Sequence, residues 1–324
     1  MPKAGPVNKL RAFRKTKREF AKVPQMCSAD RNEELYRKAL GELKRVDRSV
    51  RRMTRIGESF ARLRREERRG LIPFITAGDP DLDTTVELIV ELARVGATAI
   101  ELGVPFSDPV ADGPVIQRAS ERSLARGTNV ADVLCAVESA RRRTDVPIIL
   151  FSYYNPLLQF GQCELAAEAR KVGVDGLLVT DLVPEEADEW VEIARAHDLD
   201  TIFLAAPTST DERLRLIAAQ TSGFIYAVSR AGVTGERDQV SRQAQELVTR
   251  IRRCTTLPVA VGFGISRAEH VAEVWRYSDA AVVGSAVVAK IESLHGMPDL
   301  TKRVGEFFRA LVPRASEPVA GAER

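Results

Sequence analysis

Cysteine and histidine are scarce in this chain. Its 324 residues include four cysteines, Cys27, Cys135, Cys163 and Cys254, far apart and with no CxxC pair. That pattern argues against a disulfide framework or a cysteine zinc site. The three histidines, His197, His270 and His295, lie outside the glycine-rich segments described below. They read as surface or helix-end residues, so neither a metal centre nor a histidine-based nucleophile is expected. No apolar run is long enough to span a bilayer, and the N-terminus has no signal-peptide stretch, so the expected location is cytoplasmic. There is no GxxxxGK followed by Ser or Thr, and no GxGxxG follows a strand-like run, so neither a P-loop nucleotide nor NAD is supported. No lysine stands at the end of any strand-like run. A Schiff-base aldolase is therefore disfavoured, and any carbon–carbon cleavage would need acid–base catalysis instead.

What is present is enough for a sizeable core: 44% of residues are apolar and 29% charged, which suits one large α/β barrel plus an appendage. The net charge of +3 hides an asymmetry. Residues 1–53 hold 16 Lys/Arg against 6 Asp/Glu, so the remainder is acidic by seven charges. An acidic body argues against nucleic acid as partner of the barrel. Residues 1–28 are basic with little apolar periodicity and read as disordered. Residues 30–52 read as helical, with Leu35, Ala39, Leu43, Val46 and Val50 at three- and four-residue spacing. The expected organisation is a basic extension over 1–52, a catalytic domain over 53–313 and a flexible tail over 314–324.

From residue 71 one pattern repeats. A short apolar run ends in Gly, Pro or polar residues, and a helical stretch follows. The runs start at Leu71, Thr98, Pro147, Gly176, Thr201, Gly223, Pro258 and Ala280. Near-continuous apolar strands are those buried on both faces, as in a parallel sheet. Thr84–Val95, Ala131–Arg143, Glu185–His197 and Arg267–Trp275 suit the intervening helices. Eight such units over about 250 residues is the arithmetic of a (β/α)8 TIM barrel. A doubly wound open sheet is the alternative, and the regular spacing favours closure.

Barrel enzymes keep their chemistry at the C-terminal ends of strands and in the loops that follow. The second run, TAIELGVP, carries Glu101 between strand-core residues, and its loop carries Asp108 and Asp112. A charge inside such a run is costly unless it is used. Two carboxylates at one mouth allow a shielded one to hold a proton while a better-solvated one stays ionised. Asp108, in Ser-Asp-Pro, reads equally as a turn residue. Runs six, seven and eight end in AGVTG (231–235), GFGIS (262–266) and GSA (284–286). Three glycine loops at consecutive strand ends suit a phosphate, which backbone N–H groups and helix N-termini would hold. Phe74, Phe151, Tyr153, Tyr154 and Tyr226 stand at other strand ends. Each alone is more often core, but together they suit a flat aromatic substrate.

Six pieces in order, PFITAGDP (73–80), ELGVPFSDPVADGPVIQ (101–117), YYNP (153–156), SRAGVTG (229–235), GFGIS (262–266) and VVGSAVV (282–288), resemble the alpha-chain family of tryptophan synthase, and the resemblance spans residues 54–312. It implies cleavage of indole-3-glycerol phosphate to indole and glyceraldehyde 3-phosphate. Glu101 matches the family's catalytic glutamate and Asp112 its catalytic aspartate. The same resemblance assigns Phe74, Phe151, Tyr153 and Tyr226 to the indole pocket. It assigns Thr234, Gly235, Phe263, Gly264, Gly284 and Ser285 to the rest of the substrate site, and Gly232–Gln239 to a mobile lid. It also implies an alpha2-beta2 assembly with a beta chain that carries pyridoxal phosphate, with no cofactor or metal in this chain. Pro105–Asp108 would face that partner. The charged residues Glu236–Gln239 depart from the family's usual lid, and residues 1–52 have no counterpart in it. Two other readings remain: a stand-alone indole-3-glycerol-phosphate lyase, and a non-catalytic barrel that activates a partner.

Overall fold

The computed structural model describes residues 53–228, 237–262 and 264–313. The extension 1–52 and the tail 314–324 lie outside them. Every strand pairing is parallel, and the apolar runs of the sequence become the strands. They are β1 (Gly70–Thr76), β2 (Ile100–Gly103), β3 (Ile148–Ser152), β4 (Gly176–Val179), β5 (Asp200–Ile202), β6 (Leu204–Ala205), β7 (Ile225–Val228), β8 (Val259–Gly262) and β9 (Ala280–Val283). The sheet order is β5-β4-β3-β2-β1-β9-β8-β7-β6. Its two ends, β5 and β6, are separated in the chain only by Phe203, so the sheet closes on itself. The Phe203 carbonyl accepts from Tyr226 N at 3.1 Å across the join. The expected eight-stranded TIM barrel is the fold. The fifth run appears as two short strands because it pairs with β4 before Phe203 and with β7 after it.

Residues alternate between the two faces of this sheet, as the period of a strand requires. Inward positions (Ile72, Ala99, Ile149, Leu178, Ile202, Phe224, Ala260 and Val282) form one apolar cluster inside the barrel. Outward positions such as Leu71, Ile75, Leu102, Leu150, Phe203 and Val261 join a larger cluster with the surrounding helices. Both faces are dry, which is why the strands read as unbroken apolar runs rather than alternating ones.

Twelve α-helices are seen among the described residues: α1 (Arg55–Arg65), α2 (Leu82–Arg94), α3 (Pro114–Ala125), α4 (Val130–Arg141), α5 (Tyr154–Phe160), α6 (Gln162–Val172), α7 (Asp188–Ala196), α8 (Asp211–Gln220), α9 (Arg237–Cys254), α10 (Ala268–Trp275), α11 (Ser285–Ser293) and α12 (Leu300–Ala310). Side-chain caps move several starts by a residue or two from the periodicity. Asp81 accepts from Thr84 N and opens α2, while Asn129 and Asp132 form a capping box that opens α4. The stretch expected as one helix over 185–197 divides into a 3-10 turn, Pro184–Glu186, and α7. None of these helices is long and apolar enough to cross a membrane.

The bottom of the barrel is plugged by α1. Its apolar face, Ile56, Phe60 and Leu63, enters the inner cluster, and the Phe60 ring meets Phe224 with centroids 5.6 Å apart. Polar groups fix the plug. Thr54 Oγ1 donates to Asp200, and Arg55 Nη1 donates to Asp175 Oδ1 at 2.8 Å. Asp175 is buried, so its charge needs compensation. It receives Arg141 at 3.0 Å and the Ile148 N–H at 2.9 Å as well. Truncating Phe60→Ala leaves a cavity against Phe224. Urea unfolding should show a loss of about 3–5 kcal/mol, whereas an exposed site such as Arg68→Ala should stay within about 0.5 kcal/mol.

Candidate active site

At the upper end of the barrel the inward positions stop being aliphatic. Phe74 on β1 lies opposite Glu101 on β2, and Glu101 lies opposite Ile149 on β3. Phe151, one inward position above Ile149, meets the Phe74 ring edge-on at 5.1 Å and 78°. Room for Phe74 comes from Gly103, because a Cβ there would stand 2.5 Å from Phe74 Cζ. Gly262 serves Tyr226 in the same way: a Cβ there would stand 2.1 Å from the phenolic oxygen. At Gly262 the missing side chain is therefore space for an aromatic ring.

Glu101 is 1% exposed, and neither carboxyl oxygen has a hydrogen-bond partner among the described residues. With no cation or donor to compensate, burial pushes its pKa up to about 8. The carboxyl is neutral at pH 7. Burial also drives the Tyr226 phenol well above its ordinary value, and the Glu101 charge adds to the shift. Ionising either group opposes ionising the other.

Asp112 lies in the loop between β2 and α3 and is half-buried. Burial raises its pKa, and a hydrogen bond from Tyr153 works in the opposite direction. Tyr153 anchors the loop. Its hydroxyl accepts from Ala111 N at 2.9 Å, and its ring stacks on Phe106 at 5.0 Å. Burial lifts the Tyr153 phenol to about 12, so it remains a donor. The Asp112 carbonyl accepts from Gln117 Nε2 at 2.8 Å, which ties the loop to the first turn of α3. Asp108 is exposed, and Val110 beside it is 89% exposed.

The two carboxyls thus differ in kind. One is sealed and proton-bearing; the other is partly solvated and held by a phenol.

The third component is the N-terminus of α11, which begins at Ser285 directly after Gly284. The first N–H groups of a helix have no partner within it and carry partial positive charge. A Cβ on Gly284 would touch Phe74 Cβ at 3.7 Å, so this terminus adjoins the Phe74 side chain. Gly264 adopts φ +63°, a backbone region that favours glycine. Thr234, Gly235 and Phe263, and the expected lid apart from the backbone of 237–239, lie outside the described residues.

Two features were missed in the sequence. Thr76 Oγ1, near the top of β1, is buried without a hydrogen-bond partner. Asp79, in the turn after β1, is 2% exposed and is gripped by Arg122. His295, read as a surface or helix-end residue, follows the end of α11 and lies with Nε2 3.3 Å from the same carboxylate. Asp79 falls within PFITAGDP, but nothing in the local sequence marks Arg122 or His295 as its neighbours. Among the described residues no cluster of His, Cys, Asp and Glu could hold a metal ion.

The model of the family described as tryptophan synthase alpha chain matches residues 60–311. The chain belongs to the tryptophan synthase alpha-chain family. It is 51% identical to the alpha chain of Solibacter usitatus, over 80% of this chain and 97% of that one. To the alpha chain of Chloroflexus aurantiacus it is 43% identical, over 82% and 100%. The crystal structure of the alpha subunit from Legionella pneumophila superposes with a TM-score of 0.75 at 36% identity, covering 80% of this chain and 97% of that one. A structure from the tryptophan synthase a2b2 complex of Pyrococcus furiosus gives 0.70 at 42% identity, covering 75% and 97%.

The state of Glu101 has a thermodynamic signature. Its carboxyl keeps a proton in the folded chain up to about pH 8 but loses it near pH 4.5 when unfolded. Unfolding between those values releases a proton, so rising pH favours the unfolded chain, by up to about 1.4 kcal/mol per pH unit. Below pH 4.5 the contribution is constant. Glu101→Gln cannot ionise. In urea titrations at pH 5 and pH 8, the variant should gain on the wild type at the higher pH by a few kcal/mol.

Proposed function

We propose that this chain cleaves indole-3-glycerol phosphate by a retro-aldol reaction, with Glu101 as proton shuttle and Asp112 as partner of the indole nitrogen. The observation that carries the reading is the sealed, unpartnered carboxyl of Glu101 opposite Phe74, which meets Phe151 edge-on, on the inner wall at the upper end of the barrel. The cleavage needs a proton on indole C3, so that the ring can leave with the electron pair of the broken carbon–carbon bond. It also needs a proton taken from the side-chain hydroxyl, whose carbon becomes the aldehyde. A neutral carboxyl gives the first proton. The carboxylate it becomes takes the second. Protonation at C3 places positive charge on the ring nitrogen, and the half-buried carboxylate of Asp112 would accept the indole N–H and stabilise that charge. Phe74, Phe151, Tyr153 and Tyr226 supply aromatic surface for the ring. The N-terminus of α11 at Gly284 and Ser285, with Gly235 and Gly264, would hold the phosphate. Thr234 and Phe263 complete the proposed substrate set.

The relatives supply the rest of the proposal. Pyrococcus furiosus tryptophan synthase is described as an a2b2 complex, and we assign this chain the same kind of partner. The loop with exposed Val110 and the stacked Phe106 is the surface offered to that beta chain. Pyridoxal phosphate belongs to the partner in this reading, and the chain itself uses no cofactor. A cytoplasmic location accords with a phosphorylated biosynthetic substrate.

Release of indole from indole-3-glycerol phosphate by the full chain, with and without a beta chain, tests the proposal. Glu101→Gln should lower kcat by about 10³-fold and Asp112→Asn by about 10²-fold, with both proteins still folded by circular dichroism. Unchanged indole release from Glu101→Gln would end the catalytic assignment. Full activity without a beta chain would instead identify a stand-alone lyase.

A further inference from the structure

Asp79, Arg118, Arg122 and Glu292 form a buried-to-surface ionic network on one side of the barrel, with His295 beside Asp79. Asp79 is 2% exposed, and an isolated carboxylate so placed would be prohibitively costly. The Arg122 guanidinium grips it as a fork, Nε to Oδ1 at 2.8 Å and Nη2 to Oδ2 at 2.8 Å. The third nitrogen of the same group, Nη1, donates to Glu292 Oε1 at 2.7 Å. Arg118, one turn earlier, closes a second fork on Glu292, Nε to Oε1 at 2.8 Å and Nη2 to Oε2 at 2.7 Å. His295 Nε2 lies 3.3 Å from Asp79 Oδ1, the oxygen that also receives Arg122 Nε.

What this network joins is specific. Arg118 and Arg122 are on α3, whose first residue, Pro114, follows Asp112 by two positions. Glu292 is on α11, whose first residue follows Gly284. One helix therefore begins at the carboxylate proposed for the indole nitrogen, and the other begins at the backbone proposed for the phosphate. Glu292 is seven residues into α11 and Arg122 eight into α3. At about 1.5 Å per residue, both stand roughly 10–12 Å along their helices from the first residue. Nearer their first residues the same two helices meet through Ala119 and Val288, packed together with Phe74. The seam between them is apolar nearer the helix starts and ionic farther along, and the ionic part also ties both helices to the turn after β1.

We propose that Arg122 and Glu292 are positioning residues that fix the spacing between the Asp112 end and the phosphate end of the site. The inference rests on the reading of those two ends given above. A rigid spacing matters only to a ligand that reaches both ends. Such a ligand is a phosphorylated chain carrying an indole, and small errors of placement weaken catalysis without removing either binding group.

Glu292→Gln is the informative variant. Glu292 is only partly buried, with 29% of its side chain exposed, and the substitution leaves the Asp79–Arg122 fork intact. Thermal unfolding monitors the fold. Calorimetric titration with inorganic phosphate monitors one end alone, and steady-state indole release reads the full substrate. The expected result is phosphate affinity within about twofold of wild type, with kcat/KM reduced about tenfold. Arg122→Lys keeps the charge but loses the fork, and it should show the same split. The double variant should be little worse than either single one, because both act through one strut. Phosphate affinity falling in parallel with kcat/KM would overturn the proposal, since the network would then be supporting the phosphate loop itself. An unchanged kcat/KM with lowered melting temperature would also overturn it and make the network a stability element. Failure of the underlying reading would look different: Glu101→Gln would keep its activity, or the wild type would release no indole.

Discussion

A closed parallel sheet leaves no strand edge and no exposed face, so every inward residue must be either packed or useful. That constraint organises this molecule. Below the mouth the inward positions hold Ile72, Ile149, Leu178 and Phe224, sealed from beneath by α1. One step higher the same alternation puts Phe74, Glu101, Phe151 and Tyr226 on the inner wall. The strand period that builds the core thus also aims the candidate site, and no separate scaffold is needed. A carboxyl placed there inherits the dryness of the barrel, and its pKa follows from position alone.

Two of the charged networks among the described residues divide along the barrel axis. At the lower end Asp175 is compensated by Arg55 and Arg141, binding the plug helix to the wall. At the other side Asp79 and Glu292 are compensated by Arg122 and Arg118, binding the turn after β1 to α3 and α11. In each, a carboxylate that is nearly inaccessible is matched by an arginine that is only partly buried. Such pairs are weak evidence for net stability, yet removing either partner strands a buried charge.

Much of this was legible in the sequence, for a physical reason. Strands covered on both faces must be apolar throughout, so each run stands out from its polar surroundings, and eight of them imply closure. The break at Phe203 was not legible, since a residue facing the helix layer is as apolar as one facing the barrel interior. Glu101 was conspicuous as a charge among strand-core residues. The Asp79 network was invisible, because Asp79 and Arg122 lie 43 positions apart and Arg122 and Glu292 lie 170 apart. Nothing local marks them as partners. Tyr153 was legible as an aromatic at a strand end, but its anchoring of Ala111 depends on a loop path that composition does not specify.

The sealed, unpartnered carboxyl of Glu101 has a bearing on how the site exchanges matter with its surroundings. In the cleavage proposed above, one carboxyl lends a proton and recovers another, so the site ends each turnover in the protonation state in which it began. No file of water molecules has to connect Glu101 with bulk solvent. The wall behind it can be as tight as any other part of the barrel, and traffic through the mouth is confined to substrate and products. A buried position that would be a trap for a group needing solvent protons is, for a self-replenishing one, a shelter from side reactions with water.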